Sequence, residues 1–104
     1  MIYVGIDISK YKHDCFICNN DTGEVIVDNL SFENNKKGFQ QFLGLLKPYD
    51  NSNVRIGLEA TGHYGLNLKL FLEKNNYTFM EFNPLLIKEF KKSLSLRKTK
   101  TDKI

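Results

Sequence analysis

The sequence predicts an α/β domain built on a five-stranded mixed sheet with helices on both faces. Residues 2 to 30 consist of short apolar runs separated by turn residues, the signature of a strand meander. Beyond residue 34 the apolar residues fall at helical spacing and alternate with two more short runs, the signature of crossover units. With 104 residues and 41% hydrophobic content, the chain can bury one core and is too short for two.

The first strand is the apolar run Ile2, Tyr3, Val4 and Ile6, read as buried on both faces because it does not alternate with polar residues. It runs out on a carboxylate, Asp7. His13-Asp14-Cys15-Phe16-Ile17-Cys18 forms the second strand, Asn19-Asn20-Asp21-Thr22-Gly23 a dense turn, and Glu24 to Leu30 the third strand of an antiparallel meander. Asn34 and Asn35 can cap a helix whose stripe is Phe39, Phe42, Leu43 and Leu46 and which stops before Pro48. Gly38 and Gly44 read as glycines that this helix merely tolerates. After the loop Tyr49 to Asn53, Val54 to Leu58 forms the fourth strand and ends on a second carboxylate, Glu59.

A helix between two strands of one sheet makes a crossover, so the fourth strand runs parallel to the first. This pairing sets Glu59 beside Asp7 at the rim where the carboxyl ends of parallel strands form a ligand crevice. The turn Ala60-Thr61-Gly62 leads into a helix from His63 to Asn75, with Tyr64, Leu68, Phe71 and Leu72 on its buried side. Tyr77 to Phe82 is the fifth strand, parallel to the fourth. Asn83-Pro84 opens a last helix with Leu86, Ile87, Phe90 and Leu94 inward and Lys88, Lys91 and Lys92 on other faces.

The net charge of +3 is unevenly placed. Lys88, Lys91, Lys92, Arg97, Lys98, Lys100 and Lys103 outweigh Glu89 and Asp102, whereas the preceding chain is slightly acidic. A basic end on a near-neutral body suits a polyanionic partner, since phosphate contacts release counterions; a solvated helix face is the plainer reading. Cys15 and Cys18 lie on one strand at a spacing that turns them to opposite faces, which favours core packing over zinc or redox chemistry. No apolar run approaches the roughly 18 residues of a membrane span, and the expected location is the cytoplasm.

The element order, with acids ending the first and fourth strands, is that of the ribonuclease H-like fold. Val4-Gly5-Ile6-Asp7-Ile8-Ser9-Lys10 with Asp14, Glu59-Ala60-Thr61-Gly62-His63-Tyr64, Asn83-Pro84 with Phe90, and Lys100-Thr101-Asp102 narrow it further. Together they closely resemble the RuvC-like DEDD transposases of bacterial insertion sequences, related to the Piv DNA invertase. The resemblance implies a RuvC-like N-terminal domain over residues 1–104. It also implies catalytic, metal-binding acids at Asp7, Glu59 and Asp102, and Mg²⁺ or Mn²⁺ as cofactor, two ions in the complete site. DNA is then the partner, a bridge RNA the guide, and the full-length protein a homo-oligomer near the nucleoid. The family's fourth acid would follow Ile104, so the domain is expected to be truncated just before it. A further domain bearing a nucleophilic serine is expected beyond, and these 104 residues alone are expected to bind metal weakly without cleaving DNA.

Phosphodiester cleavage needs charge stabilised on attacking and leaving oxygens, which a pair of divalent ions supplies, and hard carboxylate oxygens hold such ions. Asp7 would bridge the ions, Glu59 would hold one and Asp102 the other, with Lys98, Lys100 and Lys103 on nucleic-acid phosphates. The plainer readings are a turn acid for Asp7, a loop acid for Glu59 and a helix cap for Asp102. His63 reads as a surface residue, since metal-activated attack needs no histidine. Two rivals share these elements. An actin-like ATPase or sugar-kinase piece would bind ATP, but Ile8-Ser9-Lys10-Tyr11-Lys12 lacks the glycines of a phosphate-gripping loop. A non-catalytic nucleic-acid-binding or assembly module would keep its affinity without Asp7.

Overall fold

Alternation along the first strand decides how the sheet faces its core. In a computed structural model that describes residues 1–59 and 63–82, β1 (Ile2–Ile8) buries Ile2, Val4, Ile6 and Ile8 on one face. Its other face carries Tyr3 and Gly5, both half-buried, and the exposed Asp7. Burial on both faces is therefore only partial, because a glycine and a carboxylate offer that second face little apolar surface to cover.

β2 (Lys12–Asn19) runs antiparallel to β1 and aligns Cys15 with Ile6 and Ile17 with Val4. Those residues join the main core, whereas Phe16 and Cys18 form a smaller cluster with Tyr3 and Val25. The cysteines thus point to opposite faces, both buried and free. Burial pushes the Cys18 thiol pKa up, which suits packing rather than reactivity. β3 (Val25–Glu33) completes the meander, antiparallel to β2.

Asn35 stops the extended chain and caps α1 (Lys36–Leu46), its side-chain oxygen accepting from the Gly38 amide at 2.8 Å. Phe39, Phe42 and Leu46 are buried as the stripe predicts. Gly38 is more than tolerated: a Cβ there would fall on the backbone of Glu33, so the helix meets the end of β3 at a separation only glycine permits. Gly44 has open space around it and is the ordinary glycine expected.

β4 (Val54–Glu59) lies parallel to β1 in the register Ile2 with Val54 through Ile6 with Leu58. α2 (Leu66–Lys74) buries Leu68 and Leu72. It starts later than the spacing suggests, leaving His63 and Tyr64 in a turn, and Tyr64 is 40% exposed rather than packed. β5 (Phe79–Phe82) is parallel to β4, and a Lys69–Glu81 ion pair fastens α2 to it. The sheet order is β3-β2-β1-β4-β5.

Both described helices cover the same sheet face. The rings of Phe39 of α1 and Phe71 of α2 meet at a 41° tilt with centroids 5.3 Å apart, and both helices feed one core cluster. The helix expected on the opposite face, from Pro84 onward, lies outside the described residues. Among the described residues no helix is long and apolar enough to cross a membrane.

Candidate active site

Parallel pairing of β1 and β4 brings their carboxyl ends to one rim. Ile6 and Leu58 are the last paired residues of that ladder, and Asp7 and Glu59 come next on their respective strands. Strand periodicity turns both away from the face that α1 and α2 cover, and the strand spacing is roughly 4.8 Å. Two residues inward from the acids, on their own face, Gly5 pairs with Gly57. The Phe82 ring fills the space over Gly57, at 2.5 Å from where a Cβ would stand, and Phe82 itself pairs with Glu59. The rim is therefore acidic above a small apolar floor.

Asp14 stands directly opposite Asp7 across the β1–β2 ladder. Its carboxylate accepts from the Ser31 hydroxyl on β3, whereas Asp7 is exposed with no hydrogen bond to its carboxylate among the described residues. Like charges directly opposite one another are unfavourable in a ladder, and a cation relieves them. Among the described residues no three acids, histidines or cysteines gather closely enough to hold a metal ion. Asp102 lies outside the described residues, as do Lys98, Lys100 and Lys103. The structure thus brings together two of the three predicted acids. Hard carboxylate oxygens of this kind suit Mg²⁺ or Mn²⁺, which take one or two protein carboxylates and complete their shells with water and substrate oxygens.

Two residues behind the rim have roles that spacing and motif did not assign to them. His13, which pairs with Ile8 in the ladder, is fully buried. Its ring lies edge-on to Phe32, centroids 5.5 Å apart. Its Nδ1 accepts from the Ser9 amide at 3.3 Å, so the neutral ring carries its proton on Nε2. Burial pulls its pKa below the ordinary 6.5, against opposing pulls from Asn34, Asp14 and Asp7. A neutral, enclosed imidazole is a packing element, not an acid or base. His63, by contrast, is exposed, as expected, with its ring 4.6 Å from that of Tyr64.

The other residue is Asn34. Its side-chain Nδ2 donates to the carbonyls of Lys10 at 3.0 Å and Tyr64 at 3.2 Å, and its backbone amide donates to Tyr11 at 2.9 Å. It is not the helix cap, a job Asn35 performs alone. The available signal was a pair of adjacent asparagines where one cap suffices.

The family model described as a transposase, of the IS110-type DEDD class, matches residues 4–104. The chain belongs to the IS110-type DEDD transposase family. Two relatives are the pilin gene-inverting proteins of Moraxella bovis and Moraxella lacunata, each 36% identical over 104 residues and covering 97% of this chain. The chain spans 30% of the length of each. Among solved structures, this DEDD transposase domain is similar to T. thermophilus RuvC in complex with a Holliday junction substrate, with a TM-score of 0.61. At 8% identity, covering 86% of this chain and 70% of that one, the likeness establishes a ribonuclease H-like fold.

Proposed function

We propose that the chain is the N-terminal catalytic domain of an insertion-sequence transposase or recombinase that cuts and rejoins DNA strands with the help of divalent metal. The observation that carries this reading is the placement of Asp7 and Glu59 directly after the last paired residues of two adjacent parallel strands. Family membership and the gene-inverting activity named for the relatives support it.

In this reading Asp7, on the central strand of the sheet, Glu59 and Asp102 would together hold the divalent ions. Such ions, when bound, stabilise charge on the attacking and leaving oxygens of a phosphodiester. The protein's own part is to fix Asp7 and Glu59 on rigid strand ends and to keep Asp14 engaged with Ser31, so that of the facing pair Asp7 and Asp14 it is Asp7 that would be left for an ion. Lys98, Lys100 and Lys103 hold backbone phosphates, DNA is the substrate, and a structured RNA guides its choice. The whole protein acts as an oligomer in the bacterial cytoplasm, with a second, serine-bearing domain completing the chemistry.

Titration of the 104-residue chain with Mn²⁺, followed by electron paramagnetic resonance of the free ion, tests this. Wild type binds Mn²⁺, and Asp7→Asn or Glu59→Gln weakens binding by about tenfold or more; Asp7→Asn leaves the metal-free melting temperature unchanged or raised, since its repulsion with Asp14 across the ladder is removed. Absence of binding, or equal binding by Asp7→Asn, would overturn the reading.

A further inference from the structure

We infer that Asn34 is a positioning residue for the rim: its carboxamide ties the hairpin that follows Asp7 to the turn at Tyr64 that leads from the Glu59 side into α2. The inference deepens the metal reading above and rests on it for its consequence, although the tie itself does not.

Asp7 sits one residue before the end of β1, and the chain then turns through Ser9, Lys10 and Tyr11 into β2. Glu59 ends β4, and Tyr64 lies in the turn before α2. These two turns belong to different parts of the chain and share no ladder pairs. Asn34 spans them with one NH₂ group, donating one bond to Lys10 and one to Tyr64. Its backbone amide adds a third bond, to Tyr11. Both hydrogens of the amide are thus used, and both acceptors are backbone carbonyls, which cannot rotate away.

His13 selects the orientation that makes this possible. The Asn34 Oδ1 and His13 Nε2 are both buried and make no hydrogen bond among the described residues, yet Asn34 lies near enough to pull the His13 pKa upward, and the two atoms are complementary, an acceptor and an N–H donor. Turning the amide over would set its NH₂ against that N–H and its oxygen against two carbonyls. His13 in turn accepts from the Ser9 amide, so the hairpin is contacted by the His13 ring at Ser9 and by Asn34 at Lys10 and Tyr11. A metal-binding pair gains affinity when its carboxylates are held at a fixed separation before the ion arrives, and supporting contacts of this kind commonly matter by an order of magnitude.

The same sheet offers a control. Asn51, in a short 3-10 turn (Asn51–Asn53) ahead of β4, makes a matching double donation from Nδ2 to the carbonyls of Asn75 at 2.8 Å and Asn76 at 3.3 Å. It stands at the opposite end of the sheet from Asp7 and Glu59. Asn34→Ala and Asn51→Ala therefore remove like contacts from unlike places.

Hydrogen exchange of the 104-residue chain without metal reads the tie directly, with the Ser9 and Leu66 amides as reporters on either side. In Asn34→Ala both reporters exchange faster by about fivefold or more, and in Asn51→Ala neither changes beyond the global loss of stability. Asn34→Asp, nearly the same shape without the two donors, gives the same result should the alanine variant fold poorly. Faster exchange on one side only, or on neither, overturns the tie. For its consequence, Asn34→Ala weakens Mn²⁺ binding by about tenfold and Asn51→Ala leaves it at the wild-type value. Equal affinities in all three proteins would overturn the positioning role. A wild type that binds no Mn²⁺ would instead remove the metal reading, with the exchange data still deciding the tie.

Discussion

Gly38 and Gly44 sit in the same helix and answer oppositely to the same substitution. At Gly38 an added methyl meets the backbone of Glu33, which cannot swing aside, so Gly38→Ala should cost about 1–3 kcal/mol of stability. At Gly44 the space is open and the position exposed, so Gly44→Ala should add about 0.5–1 kcal/mol through helix propensity alone. Urea denaturation of the two variants distinguishes them by sign. His13 makes a second prediction at this scale. Burial depresses its folded-state pKa below 6.5, so the unfolded chain binds the proton first as pH falls. Stability should then decline as pH drops below about 6.5, by at most about 1.4 kcal/mol per pH unit, until the folded pKa is reached. His13→Leu should flatten that stretch of the stability profile while leaving the carboxylate-driven loss at lower pH. These residues were the hardest to read from sequence, because what defines them is remote: Asn34 reaches partners 24 and 30 positions away, and no local pattern marks such a reach.

Elements were far easier. The hydrophobic runs of β1, β2 and β4 and the stripe of α1 are dictated by local periodicity, and each lies where that periodicity sets it. The cap of α1 was legible too, down to one of two asparagines. Asn35→Ala should lower stability by about 1 kcal/mol in thermal or urea unfolding by removing the acceptor for the Gly38 amide. Boundaries fared worse where aromatic residues sat next to turns. Tyr64 reads as the first buried residue of α2 by spacing, yet the turn holds it outside the helix with its carbonyl on Asn34. Tyr77 reads as strand and is buried, but β5 pairs only from Phe79. Burial and strand pairing are separate requirements, and an apolar run signals the first more strongly than the second.

For the molecule as a whole, crossover topology turns two distant carboxylates into neighbours. The meander fixes β1 in the middle of the sheet, α1 returns the chain to the far side of β1, and the parallel register then leaves no choice about which ends meet. That much of the candidate site was legible, because handedness and pairing rules leave few alternatives. The third acid and the basic end fall outside the described residues, so their part rests on the family resemblance. The most direct test is a crystal structure of the chain soaked in Mn²⁺, with the ion located by its anomalous signal. The account predicts a peak between Asp7 and Glu59, coordinated by an oxygen from each; a peak elsewhere with those two carboxylates turned apart would contradict it.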